Sequence, residues 1–264
     1  MGIKSVIKKN ELPLKYQQYK LKETVDGISD SVYILSNKYV LKVLENNSQK
    51  SVKNEKKLLN NLYKYKFKVP KILDIFQINH KQAIIYSYMQ GKSLKKAKHK
   101  HIKQIAKFLK KFHKNTKNIS YSNKKTFSRS KLKQMIKISK SKKLKKLYET
   151  LNIKLNNDGV IHGDLFLDNA KFKKNRLSGV YDFSEACVGD FHFDLAVVAI
   201  SWCLDENNKL DKNKIVTLLK TYDQNIKFEY FKEYIKYALV YYATTRYINN
   251  RNYKEILKRI KGLK

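Results

Sequence analysis

A chain of 264 residues with 42% hydrophobic content holds enough apolar side chains for a large core, which excludes a disordered basic tail. No apolar run approaches the ~18 residues of a membrane span, and the first ten residues lack the apolar centre of a signal peptide. Two cysteines form neither a disulfide framework nor a zinc motif. These features predict a cytoplasmic globular protein with no membrane partner.

The basic excess is the strongest compositional feature, with 58 Lys and Arg residues against 22 Asp and Glu residues and a formal net charge of +36. Such a charge attracts polyanions. The lysines are nevertheless spread along the whole chain, and arginine, the better residue for bidentate contacts with phosphates and bases, is rare. We therefore attribute most of the charge to overall composition and expect no specific nucleic-acid partner.

The first third of the chain is predicted to form strands around one helix. Residues 19–44 show a strand-like pattern with two turns, and a helix follows from a cap at Ser48 to about Phe67. Two further strands are predicted within 71–88, separated by a polar turn. A sheet with one helix is typical of a small α+β lobe.

The remainder is predicted to be mostly helical. After Gly91, nearly all of 99–155 has a helical pattern. A loop with the sequence VIHGDLFLDNAKF occupies 160–172, a short strand, RLSGVYDF, follows it, and helices continue to the last residue. The change in pattern predicts two lobes with a boundary near 88–91.

A lysine and a glutamate in the first lobe have the positions of an inward-facing ion pair. Lys42 shares one strand face with Val40 and Leu44, because side chains on a strand alternate. Glu55 lies three residues before Leu58 and therefore points inward on its helix, unlike the neighbouring lysines. Each residue alone is more often structural, but together they indicate an anion-binding lysine with its partner.

The loop at 160–172 and the strand after it carry the remaining candidate residues. Asp164 and Asn169 have the D-x-x-x-x-N spacing of kinase catalytic loops, in which a carboxylate accepts a hydroxyl proton and an amide oxygen helps to hold Mg²⁺. Asp182 ends a short strand, where a carboxylate can bridge a metal and phosphates. His162 and Asp168 are interpreted as structural residues of the loop, and Asp194 as a helix cap or as a carboxylate that fixes the loop.

The segments HGDLFLDN and SGVYDFSEACVGDFHFDLAVVAISWC resemble the type II homoserine kinases, within the aminoglycoside and choline phosphotransferase superfamily. The resemblance extends to DGISDSVYIL, YVLKVL and IIYSYMQGKSL earlier in the chain. It implies an α+β, bilobal protein-kinase-like fold, with a small N-terminal antiparallel-sheet lobe and a larger, mostly helical C-terminal lobe. Residues 1–88 would form the nucleotide-binding lobe, and residues 89–264 the catalytic and acceptor-binding lobe.

The resemblance also implies roles for individual residues and the cofactors ATP and Mg²⁺. Asp164 would be the catalytic base, and Asn169 and Asp182 the Mg²⁺ ligands. Nucleotide contacts would come from the following set: Lys42 with Glu55 as the phosphate-anchoring pair, Ser29 and Ser31 over the phosphates, and backbone groups around Ser87 to Met89 at the adenine. Glu185 and Arg246 are the charges expected near an amino-acid acceptor.

Two departures from the family bear on the acceptor and the phosphate loop. The loop after the first strand has Gly27 as its single glycine, so it is not a G-x-G-x-x-G phosphate cradle. The chain is also shorter than most homoserine kinases of this type in the helical insertion that shapes the acceptor pocket. The sequence therefore defines the identity of the acceptor less well than it defines the phosphoryl-transfer chemistry.

The predicted function is ATP-dependent phosphorylation of a small hydroxylated acceptor, with L-homoserine the first candidate. Choline, ethanolamine or an aminoglycoside are alternatives in the same class. A basic nucleic-acid-binding module on an inactive kinase scaffold is an alternative of another class. A protein kinase is disfavoured, because DFSE replaces D-F-G and no A-P-E follows.

Overall fold

The computed structural model describes residues 3–24, 30–45, 49–121 and 126–263. The chain divides into two compact units. The first contains Met1–Gln90 together with Gly179–Ser184, and the second contains Gly91–Ser178 and Glu185–Lys264. The short segment 179–184 therefore belongs with the strand-rich unit, although it lies far along the chain from it.

The first unit is built on one antiparallel sheet. Its five strands are β1 Leu21–Glu23, β2 Ser31–Leu35, β3 Tyr39–Val43, β4 Ile72–Ile78 and β5 Lys81–Ser87, in the spatial order β1-β2-β3-β5-β4. Among the described residues of this unit, the α-helices are α1 Leu14–Gln17 and α2 Gln49–Lys64. The predicted strands and the helix between them are confirmed, whereas the cap expected at Ser48 lies outside the described residues.

Alternation along the strands gives the sheet a buried face. In β2, Ser31, Tyr33 and Leu35 are buried and the residues between them are not, as the two-residue period of a strand requires. Leu41 and Val43 of β3 join them in an apolar core. Lys42 lies between Leu41 and Val43 in β3 and therefore points to the opposite face of the sheet. Strand β3 is paired with β2 on one side and with β5 on the other.

The second unit is mostly helical. Its helices are α3 His99–Thr116, α4 Arg129–Ser139, α5 Lys142–Glu149, α6 Phe191–Trp202, α7 Lys212–Tyr222, α8 Phe228–Ile248 and α9 Lys254–Lys258. The helical stretch expected over 99–155 is divided into three helices, because capping residues at Ser128 and Ser141 start new ones. Among the described residues, no helix is both long and apolar enough to cross a lipid bilayer.

Two small antiparallel pairs frame the loop that contains Asp164. Strand β6 Gly159–Ile161 pairs with β9 Cys187–Gly189, and β7 Ala170–Lys173 pairs with β8 Arg176–Val180. Only β8 was expected from the sequence pattern. The segment between β6 and β7, which we call the 162–169 loop, therefore begins at the end of one strand and ends at the start of another.

Helix α6 is the buried centre of this unit. All ten residues from Phe193 to Trp202 are buried, and Asp190 caps the helix by accepting hydrogen bonds from the N–H groups of His192 and Phe193. Asp194 is therefore not the cap. It lies within the first turn, fully buried, with its carboxylate available to the 162–169 loop.

Candidate active site

The first unit contains a group of ionisable side chains that we call the Lys42 cluster: Lys42, Asp30, Glu55, Tyr86 and Asp182. Lys42 Nζ lies 3.0 Å from Asp182 Oδ1 and 3.2 Å from Asp30 Oδ2. The Lys42 side chain is 12% exposed. Two carboxylates from distant parts of the sequence thus bind one ammonium group.

The ammonium group stays charged in this environment. Burial disfavours the protonated lysine, but the negative charges of Asp182, Glu55 and Asp30 outweigh burial and raise the pKa of Lys42 above its ordinary value. Lys42 therefore presents a fixed positive charge at neutral pH.

Glu55 lies on the buried face of α2, as its spacing predicts, but it does not contact Lys42 directly. Tyr86 OH donates a hydrogen bond to Glu55 Oε1 at 3.2 Å. Burial raises the pKa of Glu55 to about 7, although the charge of Lys42 opposes that shift. Within the described part of the chain, the carboxylates at ion-pair distance from Lys42 belong to Asp30 and Asp182, so the direct Lys42–Glu55 pair expected from the sequence is not formed.

Asp182 is positioned by an unusual backbone conformation. It follows β8 with φ of +63°, a left-handed conformation that few non-glycine residues adopt and that aspartate tolerates better than most. Its Oδ1 also accepts a hydrogen bond from Ser184 Oγ at 2.7 Å. The turn after the strand therefore aims the carboxylate at Lys42.

The 162–169 loop of the second unit is fixed mainly through its backbone. Asp194 accepts the N–H of His162 on Oδ2 at 2.9 Å and the N–H of Gly163 on Oδ1 at 2.8 Å. His113 Nε2 lies 3.0 Å from the same Oδ2, and its Nδ1 lies 2.8 Å from Tyr222 OH. Burial raises the pKa of Asp194, but these hydrogen bonds outweigh burial, and the net pKa lies below the ordinary value.

Side chains on α6 and α8 hold the rest of the loop. Trp202 Nε1 donates to the carbonyl of Leu165 at 2.9 Å, and Ser201 Oγ accepts the N–H of Leu167 at 3.1 Å. Tyr242 OH donates to the carbonyl of Gly163, and its ring packs edge-on against Phe166 with 4.8 Å between centroids.

Gly163 is required by the shape of the loop. Its φ is +78°, and a Cβ there would lie 2.2 Å from the ring of Phe127. A side chain at this position would collide with buried aromatic packing as well as strain the backbone. Glycine therefore allows the sharp turn immediately before Asp164.

The side chain of Asn169 is hydrogen-bonded directly to Asp164. Asn169 Nδ2 donates to the Asp164 carbonyl at 2.7 Å and to Asp164 Oδ2 at 3.1 Å. Because the amide nitrogen faces Asp164, the amide oxygen of Asn169 is the atom that can face a cation. His162 is fully buried, and its Nδ1 accepts the N–H of Asp164 at 3.3 Å, in agreement with a structural role.

The residues predicted over the phosphates have different outcomes. Ser29 lies outside the described residues. Ser31 is fully buried: its Oγ accepts the N–H groups of Lys4 and Ser5, both at 2.9 Å, and donates to Glu45 at 2.6 Å. Its hydroxyl therefore anchors the N-terminal segment to β2 rather than facing a ligand.

The predicted adenine segment is anchored at its start. Ser87 ends β5, donates its N–H to the Lys71 carbonyl and accepts the Lys71 N–H on Oγ, both at 2.9 Å. Met89 packs on Gly179, where a Cβ would lie 2.5 Å from Met89 Cε. The backbone between β5 and Gly91 is thus held on both sides.

The two charges predicted near the acceptor occupy different surroundings. Glu185 is exposed. The pKa of Tyr242 is raised mainly by burial, next by the negative charge of Asp164, and to a smaller extent by other groups that include Glu185. Glu185 and Asp164 therefore act on the same tyrosine. Arg246 Nη1 donates to the Asn252 carbonyl at 3.3 Å and lies 3.8 Å from Glu255 of α9. Arg246 is therefore engaged with the segment that follows α8.

Sequence patterns missed several residues that build these arrangements. Asp30, Tyr86, His113 and Tyr242 were not singled out as site residues. In the sequence, Asp30 has the pattern of a turn former, whereas the two tyrosines have the pattern of core residues. Their roles depend on contacts with residues far away in the sequence.

Comparison with known proteins places the chain in a family. The sequence model described as "Phosphotransferase enzyme family" matches residues 20–225. Homoserine kinase from Parvibaculum lavamentivorans is 44% identical over 66 residues, which are 25% of this chain and 21% of that protein. Homoserine kinase from Sinorhizobium fredii is 45% identical over 65 residues, 25% of this chain and 20% of that protein. The aligned segment thus spans about a fifth of the length of these curated relatives.

Solved structures share the fold at low sequence identity. The GDP complex of wild-type aminoglycoside 2'-phosphotransferase-IIIa superposes with a TM-score of 0.65 at 14% identity, over 92% of this chain and 91% of that one. The streptomycin–ATP ternary complex of APH(2")-IIa superposes with a TM-score of 0.59 at 19% identity, over 94% of this chain and 92% of that one. The predicted bilobal, protein-kinase-like α+β fold is confirmed.

Proposed function

We propose, from the premise that this chain belongs to the phosphotransferase enzyme family, that it transfers a phosphoryl group from ATP to the hydroxyl of a small amino alcohol or hydroxy amino acid. The observation that carries the proposal is Asp164, hydrogen-bonded to Asn169 in a loop whose backbone is fixed by buried side chains. A carboxylate placed in this way can accept a hydroxyl proton without reorganising its surroundings.

Asp164 is proposed as the general base. Positioning and electrostatics dominate phosphoryl transfer, so the base mainly orients the acceptor hydroxyl and receives its proton as the new P–O bond forms. Asn169 Nδ2 binds one Asp164 oxygen, which limits the rotation of the carboxylate. The other carboxylate oxygen, Oδ1, is the proposed proton acceptor.

The Lys42 cluster is proposed as the phosphate-binding part of the nucleotide site. Lys42 would bind phosphate oxygens, while Asp182 and the amide oxygen of Asn169 would hold Mg²⁺, which prefers oxygen ligands. Mg²⁺ supplies charge neutralisation on the phosphates when bound. Backbone groups of 87–89 are the proposed adenine contacts. Residues 1–88, together with Asp182, would thus form the nucleotide-binding lobe and the remainder the acceptor-binding lobe.

L-Homoserine is the first candidate acceptor. Support comes from the similarity to homoserine kinases and from the acidic environment of Asp164 and Glu185, which suits an amine. The engagement of Arg246 with α9 does not support its proposed role at the acceptor carboxylate. Choline, ethanolamine and aminoglycosides remain the second candidates, favoured by the aromatic rings of Phe166 and Tyr242 beside Asp164, since such rings attract cationic amines.

The decisive experiment is a coupled ADP-release assay over homoserine, choline, ethanolamine, threonine, serine and aminoglycosides. Asp164→Asn should lower kcat for the accepted substrate by about 10²–10⁴-fold, the usual contribution of a general base, and leave the Kd of MgATP unchanged. Asp205→Asn is the matched control, because Asp205 accepts two backbone N–H groups in a surface turn. More than about a tenth of wild-type kcat in Asp164→Asn would exclude Asp164 as the base.

A further inference from the structure

Asp30 is a carboxylate of the Lys42 cluster to which the proposed chemistry assigns no role. Its Oδ2 lies 3.2 Å from Lys42 Nζ, and its Oδ1 accepts the N–H of Glu45 at 3.2 Å. One oxygen is therefore fixed on the backbone beyond β3, and this bond directs the other oxygen at the ammonium group. The contact is built by the fold rather than by a loose surface pair.

Lys42 is surrounded by more negative charge than it can neutralise. Asp30 and Asp182 both contact it, and Glu55 adds a third nearby carboxyl. The side chains of Lys42 and Asp30 are only 12% and 17% exposed, so solvent screens their attraction much less than it screens a surface pair. An anionic phosphate that binds Lys42 must compete with this attraction.

We propose that the Asp30 carboxylate competes with the nucleotide phosphates for Lys42 and thereby weakens nucleotide binding. The phosphate replaces the Asp30 carboxylate on Nζ, and Asp30 returns when the phosphate leaves. The buried ammonium group keeps a counter-ion in both situations, so release of the product nucleotide does not expose an unpaired buried charge. This inference rests on the proposed nucleotide site at Lys42 and adds a residue that sets affinity there.

The assignment distinguishes Asp30 from Asp182. Both contact Lys42, but Asp182 is also a proposed Mg²⁺ ligand, and its removal should weaken binding of MgATP. Asp30 has no proposed contact with the nucleotide, and removal of its charge should strengthen binding. The sign of the effect therefore separates a competitor from a ligand or from a residue that only supports the fold.

Asp30→Asn is the test, measured by calorimetric titration of the 264-residue chain with ADP, in the presence and absence of Mg²⁺. Asparagine keeps an oxygen that accepts the Glu45 N–H and removes the charge. We expect the Kd of ADP to fall by about tenfold, equivalent to ~1.4 kcal/mol. Asp74→Asn is the matched control, because it removes the same charge from the same unit at a carboxylate paired with exposed Lys15 at 2.8 Å. Its Kd should change by less than about twofold.

The outcomes separate the two proposals. If wild-type protein binds no ADP with or without Mg²⁺, the proposed nucleotide site is wrong and this inference falls with it. If wild type binds ADP and Asp30→Asn binds it equally or more weakly, the proposed function stands and the competitor role is overturned. Should Asp30→Asn fail to fold, Asp30→Ser, whose hydroxyl can also accept the Glu45 N–H, gives the same comparison with the same expected tightening.

Discussion

The Lys42 cluster and the 162–169 loop are held in opposite ways. In the Lys42 cluster, a charged side chain is held by other charged side chains, because Lys42 contacts both Asp30 and Asp182. In the 162–169 loop, the backbone is bonded to side chains from the helices, above all Asp194 and Tyr242. One region is defined by its electrostatic balance and the other by its geometry.

This difference suits the two proposed tasks. A phosphate-binding lysine has to exchange partners, so its contacts must be strong enough to orient it and replaceable by another anion. A general base has to keep one orientation, and a loop fixed through backbone hydrogen bonds provides that orientation. We therefore expect pH and charge to affect the Lys42 cluster, and packing and backbone geometry to affect the 162–169 loop.

The largest expected effect is the loss of stability in Asp194→Ala. The substitution removes the acceptor of two backbone N–H groups and the partner of His113, all buried. Unpaired buried donors of this kind should lower the free energy of unfolding by about 3–5 kcal/mol. Urea denaturation followed by circular dichroism measures the change.

The control for this prediction is Asp211→Ala. Asp211 also accepts two backbone N–H groups, those of Asn213 and Lys214, but as the cap of α7 and without full burial. Its loss should cost about 1 kcal/mol. Equal losses in the two variants would mean that Asp194 acts as an ordinary helix-end residue and that the loop is held by other contacts.

A pH-dependent effect is expected from Glu55. Its pKa is raised from 4.5 to about 7 in the folded protein, so the folded state binds more protons than the unfolded state between these values. Burial of this carboxyl therefore costs least below about pH 4.5, and the cost grows as pH rises to about 7. Glu55→Gln, which cannot ionise, should remove this dependence.

The measurement compares unfolding free energies at pH 5 and pH 8. Relative to wild type, Glu55→Gln should gain about 1–3 kcal/mol between these pH values. Glu149→Gln is the control, because Glu149 is exposed and lies 3.9 Å from Lys145 of the same helix. A parallel pH dependence in wild type and Glu55→Gln would show that Glu55 is already ionised in the folded protein at low cost.

Local patterns predicted the elements that carry these residues. The alternation of β2 and β3 and the apolar face of α2 are strong signals, and they place Lys42 and Glu55 correctly. The same alternation also puts Ser31 on the buried face with Tyr33 and Leu35, so its inward orientation was predictable and argued against a phosphate contact. Strands β6 and β9 have three residues each, too few for a periodic pattern.

Contacts between distant residues could not be predicted in this way. Asp194 lies in a helix that is apolar on all sides, so periodicity does not show which way its carboxylate points. Asp30 and Asp182 meet at Lys42 only because the strand-rich unit incorporates a segment from far along the chain. The sequence supplied the residue types of the candidate site, and tertiary folding determined which of them became partners.

The smallest expected effects come from two tyrosine hydroxyls, one in each region. Tyr86 OH donates to the carboxyl of Glu55, and Tyr242 OH donates to the carbonyl of Gly163. Phenylalanine at either position keeps the ring and removes one hydrogen bond, which should lower the free energy of unfolding by about 1 kcal/mol in each case. Stability alone therefore does not distinguish the two positions.

Function should distinguish them. Tyr242→Phe loosens the turn before Asp164 and should lower kcat by about fivefold, with the Kd of MgATP unchanged. A rise of about 1 kcal/mol in the activation barrier gives this factor, since about 1.4 kcal/mol corresponds to tenfold in rate. Tyr86→Phe removes a bond that favours ionised Glu55, raises the pKa of that carboxyl and so reduces the negative charge near Lys42 at pH 7. It should therefore change the Kd of MgATP and its pH dependence while kcat at saturating nucleotide stays within about twofold of wild type. If both variants change the same parameter, the separation between an electrostatic nucleotide region and a geometric acceptor loop is wrong.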